Sequence, residues 1–571
     1  MKPLQSINQQ TITTPDVFPV IRALKQAIWT KRPILGAIMK KHGGKTLYEY
    51  AKDFLDINPT PSLDKRKGEF IRTAADLIAS RLGNAVAFGV VRQLTKKPLV
   101  STADHHTFIQ HPFFLNANII SALPYSQHPD TDLRYLIVFS FASISLNNAS
   151  GFARGFLFHG QEEAVGNPVR LPLFSDSLKM STVYNTRSFT RDDIEKTLQL
   201  LEKRVKKGEV EAPVAKRIRA TIEQYCLAED ILAAPDFCSQ ITKLNFRMWP
   251  ELFHTKEGAT PEATAQATKV RLPDLIYLEI ETLVKEVLTR HHLSSPSSLL
   301  HRILFNPTYR PLLLKYFTNI PGAFSIDDKT GTYFFWALDE KGHRVKLFPK
   351  DNYLYSEDGT RTIALTPQAI RNALEEKTIF PGMLLCYLVV SLYYGMKCLG
   401  GFCQVHDLTM VKMAWKNILE AMGEKEESLA IGPVQTKELG GDGMVLAYNA
   451  LFSAELMTPL TGIDMLSRTR DTHFSQYIDL SKRVTLTDMM NPMLPEMYTV
   501  LYPSEERDPI LSGLSPETIV EAVRLPQKLS YKPTDKPLRL EDVLGIPAKL
   551  RHISPLFSPS RKQLDLQRVK Q

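Results

Sequence analysis

The chain has 571 residues, of which 43% are hydrophobic and 23% charged, and this composition excludes a chain that is disordered throughout. Its length predicts about three domains, or two with additional segments. Most of the formal net charge of +9 lies in the segment 524–571, which has eleven basic and four acidic residues, so the nearly neutral remainder argues against a body that binds nucleic acid.

The start of the chain and its cysteines predict a cytoplasmic protein. Residues 1–15 are polar and lack the apolar core of a secretory signal. The most apolar stretch, 383–396, is shorter than the roughly 20 residues that span a bilayer, which predicts a buried helix in a protein that is not transmembrane. Five cysteines without a paired arrangement are typical of reduced thiols.

Residues 1–189 are predicted to form an α/β region. Apolar residues at helical spacing predict helices over 17–29 and 65–82. Short apolar runs rich in β-branched and aromatic residues then predict strands that are buried on both faces. These runs are 85–91, 136–141 and 155–159.

Residues 190–330 are predicted to form a helical region. Thr190 is placed to act as the N-cap of its first helix, with Asp193 at the third helical position. Gly208 follows a turn rich in lysine and arginine and is predicted to end that helix.

A later helix is predicted to begin at Pro273. Proline favours the first helical position, and the apolar residues between 275 and 288 lie at helical spacing. Glu279 and Glu281 are therefore expected on the outer face of this helix.

The rest of the chain is predicted to form a small sheet, more helices and a tail. Alternating residues over 331–365 predict an antiparallel β-meander. Residues 366–505 are predicted to be helical, with Thr366 capping one helix and another beginning at Asp407. Residues 506–571 form a basic tail that contains several prolines. The predicted fold class is a helix-rich mixed α and β protein, either α/β or α+β.

The densest group of chemically reactive side chains follows the apolar run 98–100. It consists of Asp104, His105, His106 and His111. Imidazole and carboxylate groups bind Zn or Fe and also act as general acids and bases. If the chain leaves a strand at Val100 and enters a loop, several of these side chains can converge. The group therefore predicts an active site, either with a divalent transition metal or with metal-free acid–base chemistry; a hydrogen-bonded structural loop is the alternative.

The triplet Asp104-His105-His106 is similar to one motif of the phosphoesterase family that is named after these three residues. That family also has an upstream Asp-x-Asp pair that holds its metals. No such pair precedes Asp104. The chain is therefore not assigned to that family, and no residue roles are transferred from it.

Polar residues in the loop after the second predicted strand form another candidate group. Asn147 and Asn148 are predicted to bind a polar substrate and Arg154 to pair with its carboxylate or phosphate, because open α/β sheets bind ligands beyond the carboxyl ends of their strands. Arg170 and Arg187 could extend such an anion pocket. An ordinary turn is the alternative, since Asn and Gly are common in turns.

A third candidate lies after the glycine pair at 400–401. His406 is a candidate to contact substrate or to accept a proton there, because a glycine pair permits close approach of a ligand. The alternative is an ordinary connection between helices, with Asp407 as the N-cap.

Two functions remain open from the sequence. The first is an enzyme that acts on a small polar or anionic metabolite, with hydrolysis, group transfer and metal-dependent oxidation all possible at the Asp/His group. The second is a non-catalytic interaction protein whose basic tail docks on an acidic partner or an anionic surface. The oligomeric state and the substrate are not predicted.

Overall fold

The structure is a computed structural model. Of the predicted basic tail it describes only the part up to Leu529, so the proposed docking of the remaining tail lies outside the described residues. The structure describes residues 17–126, 128–162, 167–253, 270–324, 331–441, 443–448, 458–467 and 473–529.

Helices dominate the described part of the chain. The α-helices are α1 (Val17–Lys31), α2 (Pro33–His42), α3 (Leu47–Lys52), α4 (Pro61–Leu82), α5 (Asn84–Lys96), α6 (Pro112–Ala122), α7 (Arg191–Lys206), α8 (Ala212–Cys226), α9 (Glu229–Leu232), α10 (Phe237–Glu251), α11 (Ile280–Val287), α12 (Leu299–Phe305), α13 (Arg310–Phe317), α14 (Pro367–Glu375), α15 (Met383–Tyr387), α16 (Gln404–Ala421), α17 (Lys425–Ala430), α18 (Gly462–Ser467), α19 (Phe474–Ser481), α20 (Leu486–Met490), α21 (Leu494–Leu501), α22 (Pro509–Ser512), α23 (Pro516–Ala522) and α24 (Leu525–Leu529). The helices α11 and α15 continue as π-helices over Leu288–His292 and Leu388–Tyr393.

The strands form a parallel sheet, an antiparallel sheet and a hairpin. They are β1 (Leu99–Ser101), β2 (Tyr135–Ser140), β3 (Gly155–Phe158), β4 (Val169–Pro172), β5 (Asp274–Glu279), β6 (Phe335–Leu338), β7 (Arg344–Lys350), β8 (Tyr353–Ser356), β9 (Thr362–Ala364), β10 (Ile379–Pro381) and β11 (Lys397–Leu399). The parallel sheet has the strand order β11-β1-β2-β5, the antiparallel sheet has the order β10-β6-β7-β8-β9, and β3 pairs with β4. The fold class is therefore a helix-rich mixed α and β protein, as predicted.

The parallel sheet lies between two hydrophobic layers. Alternate residues of β2 belong to different core clusters, with Leu136 and Val138 on one face and Ile137 and Phe139 on the other. The same alternation holds in β5. Because both faces are covered, these strands are apolar along their whole length.

The predicted helix from Pro273 is wrong over its first half. Residues 274–279 form β5, which pairs with β2 in parallel register, and the helix begins only at Ile280. A short apolar run suits a buried strand as well as a buried helix, so periodicity alone does not distinguish them. Glu279 and Glu281 are consequently not on an outer face, since only 2% and 0% of their surfaces are exposed.

The predicted strand over 85–91 is also wrong. This segment belongs to α5, in which Ala87, Val90 and Leu94 are buried while Phe88 is 66% exposed. The buried residues recur at helical spacing, which is the pattern of an amphipathic helix with one large apolar side chain on its solvent face.

The other predicted strands and helices of the first region are confirmed. The helices predicted over 17–29 and 65–82 correspond to α1 and α4. The strands predicted over 136–141 and 155–159 correspond to β2 and β3.

The predicted start and end of α7 are confirmed. Thr190 and Asp193 form a reciprocal capping box, in which each side chain accepts a hydrogen bond from the other residue's backbone N–H. Gly208 follows the helix with a positive φ of 71°, a conformation that glycine adopts without strain.

Replacing Thr190 by alanine is expected to lower the free energy of unfolding by about 1 kcal/mol, because it removes the N-cap acceptor. Chemical denaturation measures this change. Thr95→Ala is the control: the Thr95 hydroxyl donates to the Val91 carbonyl within α5, and its loss is expected to change stability by less than about 0.5 kcal/mol. A Thr190→Ala variant as stable as the wild type would contradict the capping role.

The predicted meander is confirmed by β6 to β9, and β10 adds a fifth strand outside the predicted range. Thr366 caps α14 as predicted, through a hydrogen bond from the backbone N–H of Ala369. Asp407 is not an N-cap, because α16 begins at Gln404 and the N-cap is Cys403.

The apolar stretch 383–396 is buried, as predicted. It contains α15 and its π-helical continuation and leads into β11, an edge strand of the parallel sheet. Within the described ranges, no helix is both long enough and apolar enough to cross a bilayer.

Candidate functional site at the carboxyl edge of the parallel sheet

The Asp/His group lies where the sequence predicts it, in a loop that leaves a strand. The loop begins after β1 and runs beside the end of β2, where the backbone N–H of Phe141 donates to the Asp104 carbonyl at 2.8 Å and the Phe141 carbonyl accepts from His106 N–H at 2.8 Å. Because the strands are parallel, the ends of β1, β2 and β5 share one edge. This edge is the usual ligand-binding side of an open α/β sheet.

Asp104 is fully buried, and its carboxyl group has a raised pKa. Its Oδ2 accepts hydrogen bonds from Asn118 Nδ2 at 2.6 Å and from the Tyr277 hydroxyl at 2.9 Å. Burial raises the pKa of Asp104 to about 7, although these two hydrogen bonds lower it. Its Oδ1 and the Oδ1 of Asn118 have no hydrogen-bond partner among the described residues, which favours a protonated carboxyl group.

His106 lies in a separate buried network. Its Nε2 is 3.1 Å from the Cys238 carbonyl and its Nδ1 is 2.8 Å from the Ser140 hydroxyl. Since a carbonyl only accepts, Nε2 carries the proton. The single proton of the Ser140 hydroxyl is shared between the unprotonated Nδ1 and the Leu278 carbonyl, which lies 3.2 Å from the Ser140 oxygen. Burial lowers the pKa of His106, which favours this neutral form.

Glu279, at the end of β5, completes that network through an ion pair with Arg81 of α4. Two guanidinium nitrogens of Arg81 donate to the two carboxylate oxygens of Glu279. Burial alone would raise the pKa of Glu279, but the charge and hydrogen bonds of Arg81 outweigh it and lower the pKa to about 2. Both side chains are almost fully buried.

The four residues predicted to bind a metal, which are Asp104, His105, His106 and His111, do not bring three ligand atoms within 4.8 Å of one another. Across the described residues, only His106, Cys238 and Glu279 bring three potential ligand atoms within 4.8 Å of one another. Burial raises the pKa of the Cys238 thiol well above its ordinary value, and Glu279 is bonded to Arg81. A divalent cation bound by these three side chains would lie beside the Arg81 guanidinium. The group is therefore a hydrogen-bonded network of the core. Zn or Fe binding stays a prediction.

His105 faces the other side of the loop and is held by Asn148. The Oδ1 of Asn148 accepts from the backbone N–H of Ser150 at 3.1 Å and lies 3.1 Å from His105 Nδ1. Because a backbone N–H needs an acceptor, the Asn148 atom that contacts both groups is the amide oxygen. His105 Nδ1 must therefore carry the proton. The Nε2 atom of His105 makes no hydrogen bond to a described residue, so its lone pair is available to accept a proton.

His111 is near His105, and both are neutral. Its Nδ1 accepts from the backbone N–H of Phe113 at 3.3 Å, which places it at the N-cap of α6. Burial, the neighbouring His105 and Arg170 lower the pKa of His111 to about 3. Burial, and less strongly Arg344, lowers the pKa of His105 to about 4, although the hydrogen bond that its Nδ1–H donates to Asn148 raises it.

Of the three arginines predicted to bind an anion, Arg170 of β4 is the one that no described carboxylate neutralises. It lies over the Phe152 ring with 5.5 Å between the guanidinium carbon and the ring centroid, and no described carboxylate pairs with it. Burial alone lowers its pKa. Phe152 itself has a positive φ of 47°, a strained conformation that is concentrated at ligand sites.

The other predicted substrate residues are placed elsewhere or are already engaged. Arg154 pairs with Asp176, and Arg187 pairs with Asp193. Asn147 is exposed. His406 lies in the first turn of α16, where burial and Arg32 lower its pKa.

Several side chains of the site are missing from the sequence-based prediction. Tyr277 and Glu279 lie far from the Asp/His group in the chain, and the pairing of β5 with β2 brings them to it. Arg81 reaches the group from α4, and Asn118 lies on α6, only 14 residues after Asp104. Glu281 is a further example, because its carboxylate accepts the backbone N–H groups of Ala142 and Ser143 just beyond β2. In the sequence, Glu279 and Glu281 stand out only as two acidic residues that follow the apolar run 275–278.

The sequence matches no known protein family, and a search of curated proteins found no similar one.

Proposed function

We propose that the protein is a cytoplasmic enzyme that binds a small anionic metabolite at the carboxyl edge of the parallel sheet and uses His105 as a general base. The observation that carries the proposal is the state of His105: Asn148 fixes its protonated Nδ1, while Nε2 makes no hydrogen bond to any residue that the structure describes. An imidazole held in this way is poised to take a proton from a substrate or a water molecule. All five cysteines are free thiols, which suits a reducing compartment.

The electrostatics around His105 favour an anionic substrate. The charge of Arg344 acts on His105 and that of Arg170 on the neighbouring His111, and no described carboxylate contributes to the pKa of either imidazole. A pKa of about 4 makes His105 a weak base at neutral pH. A bound anion would stabilise the imidazolium and raise the pKa toward neutrality, where a general base is most effective.

Arg170→Ala is expected to weaken binding of the cognate anion by about 10–100-fold, since a charge-assisted hydrogen bond contributes about 1.5–3 kcal/mol. The measurement is a thermal-shift screen of the full-length protein against small phosphorylated and carboxylated metabolites, followed by calorimetry of each hit. Arg187→Ala is the matched control, because Arg187 is exposed and already paired with Asp193.

The same screen tests the role of His105. His105→Gln is expected to keep anion binding while abolishing turnover of the hit, because Arg170 remains in place and only the proton acceptor is lost. Hits that bind Arg170→Ala as tightly as the wild type would overturn the proposed anion site. A His105→Gln variant with full turnover would overturn the general-base assignment.

A further inference from the structure

At the end of α11 that is farther from the sheet edge, four polar side chains form a hydrogen-bonded chain. The helix and its π-helical continuation run from Ile280 to His292, a distance of about 20 Å. There His292 meets Ser298, which precedes α12, and Tyr394, which follows the second π-helix. Glu69 of α4 completes the chain. This site shares no residue with the Asp/His group.

The hydrogen bonds of this chain all point in one direction. Ser298 Oγ is 2.7 Å from His292 Nδ1, and His292 Nε2 is 2.8 Å from the Tyr394 hydroxyl. The Tyr394 hydroxyl donates to Glu69 Oε2 at 3.1 Å. Because Tyr394 gives its proton to a carboxylate, its oxygen accepts from Nε2–H, and the free lone pair of Nδ1 then faces the Ser298 hydroxyl.

Ser298 is placed to react, and its hydroxyl contacts the Tyr393 hydroxyl as well as His292 Nδ1. It is partly exposed, and its hydroxyl makes no capping hydrogen bond to α12. His292 is buried behind it, so the serine is the partly exposed member of this pair. Two π-helices, Leu288–His292 and Leu388–Tyr393, converge on this point, and π-helical turns are concentrated at functional sites.

We propose that Ser298 is the nucleophile of a second, esterase-type catalytic site, with His292 as its general base and Tyr394 and Glu69 as positioning residues. A serine whose hydroxyl faces an oriented imidazole is the arrangement used for acyl transfer. The substrate class is a carboxylic ester that reaches the loop around Ser298 from solvent.

The reaction proceeds by two substitutions at the ester carbon. Ser298 Oγ forms a bond to the carbonyl carbon while its proton moves to His292 Nδ1, and the bond to the alcohol oxygen breaks as His292 returns that proton to the leaving alcohol. Water then attacks the acyl-serine with His292 again accepting a proton, which releases the acid and restores Ser298. No oxidant or reductant is required.

The charged groups around His292 set the pH range of this site. Burial, followed by the charges of His291 and Arg66, lowers the pKa of His292 to about 4. His292 is therefore neutral, and able to accept a proton, at any pH above about 4. The titratable and charged side chains that face it are His291, Arg66, Glu69, Tyr393 and Tyr394.

A fluorophosphonate probe tests the proposal on the full-length protein. Attack by Ser298 forms an oxygen–phosphorus bond and displaces fluoride, while the serine proton leaves through His292, so the label stays on the peptide that contains Ser298. Peptide mapping by mass spectrometry is expected to find it there, with a labelling rate that holds down to about pH 5 and falls toward pH 4. Ser297→Ala is the matched control, because Ser297 is exposed and lies outside the chain of hydrogen bonds.

The variants separate catalysis from structure. His292→Ala is expected to label at least about 100-fold more slowly, and Tyr394→Phe to lower the inactivation rate constant while leaving the dissociation constant of the probe unchanged. Wild-type protein without label on Ser298 would overturn the proposal, as would equal labelling of wild type and His292→Ala. If the His292→Ala variant has no thermal transition and is therefore unfolded, the peptide map of the wild type and the pH profile of its labelling rate decide the question.

Discussion

Arg81→Ala is expected to lower the free energy of unfolding by about 3–5 kcal/mol, because it leaves the Glu279 carboxylate buried without its counter-charge. Only 2% of the Glu279 side chain is exposed, and Arg81 donates to both of its carboxylate oxygens. The same substitution removes the group that fixes Glu279 beside His106. Urea denaturation at pH 7 measures the loss.

Arg92→Ala is the matched control for this prediction. Arg92 pairs with Asp132, but about half of its side chain is exposed, and an exposed pair contributes about 0–1 kcal/mol. Similar stabilities of Arg81→Ala and Arg92→Ala would contradict this prediction. They would show that the buried Arg81–Glu279 pair stabilises the fold no more than an exposed pair does.

The pH dependence of stability follows from the same pair. The folded-state pKa of Glu279, about 2, lies below its ordinary value of 4.5. Its stabilising contribution is therefore complete above about pH 4.5 and is lost as the pH falls toward 2. Substituting Arg81 is expected to remove this acid-sensitive part of the stability.

The opposite dependence is expected from Asp104. Its folded-state pKa of about 7 lies above the ordinary 3.8, so between these values the folded state holds a proton that the unfolded state has lost. Stability therefore falls as the pH rises from about 4 to 7. Between pH 5 and 8 this group alone is expected to cost about 2–3 kcal/mol.

Asp104→Asn isolates that contribution. The amide has the shape of the carboxyl group, and its oxygen can accept from Asn118 and Tyr277 as Oδ2 does now. The variant is expected to lose less stability than the wild type between pH 5 and 8, by about 2–3 kcal/mol. Chemical denaturation at several pH values measures the difference. Parallel stability curves for the two proteins would show that Asp104 does not titrate with a raised pKa.

Local signals in the sequence were enough for many elements of this fold. The capping box of Thr190 and Asp193, the cap at Thr366 and the alternation over 331–365 each depend on residues that are neighbours in the chain. The position of the Asp/His group after a strand was predictable for the same reason, since the apolar run and the polar residues follow each other directly.

The two wrong elements share one physical cause. In 85–91 and 274–279, a short apolar run fits either a strand or a buried helical turn, and the neighbours across the fold decide between them. Pairing with β2 makes 274–279 a strand, whereas packing of Ala87 and Val90 on the core makes 85–91 a helix.

The sequence by itself determined that a group of imidazoles and a carboxylate follows a strand, but only the tertiary structure decided what each of them can do. Asp104, His105 and His106 are adjacent in the chain, yet they point into three different surroundings: Asn118 and Tyr277, Asn148, and the Ser140–Cys238 network. Burial and hydrogen bonding set the pKa and the free lone pair of each group. Both depend largely on residues that are remote in the chain, such as Tyr277, Asn148 and Cys238, and that the tertiary structure brings to the group.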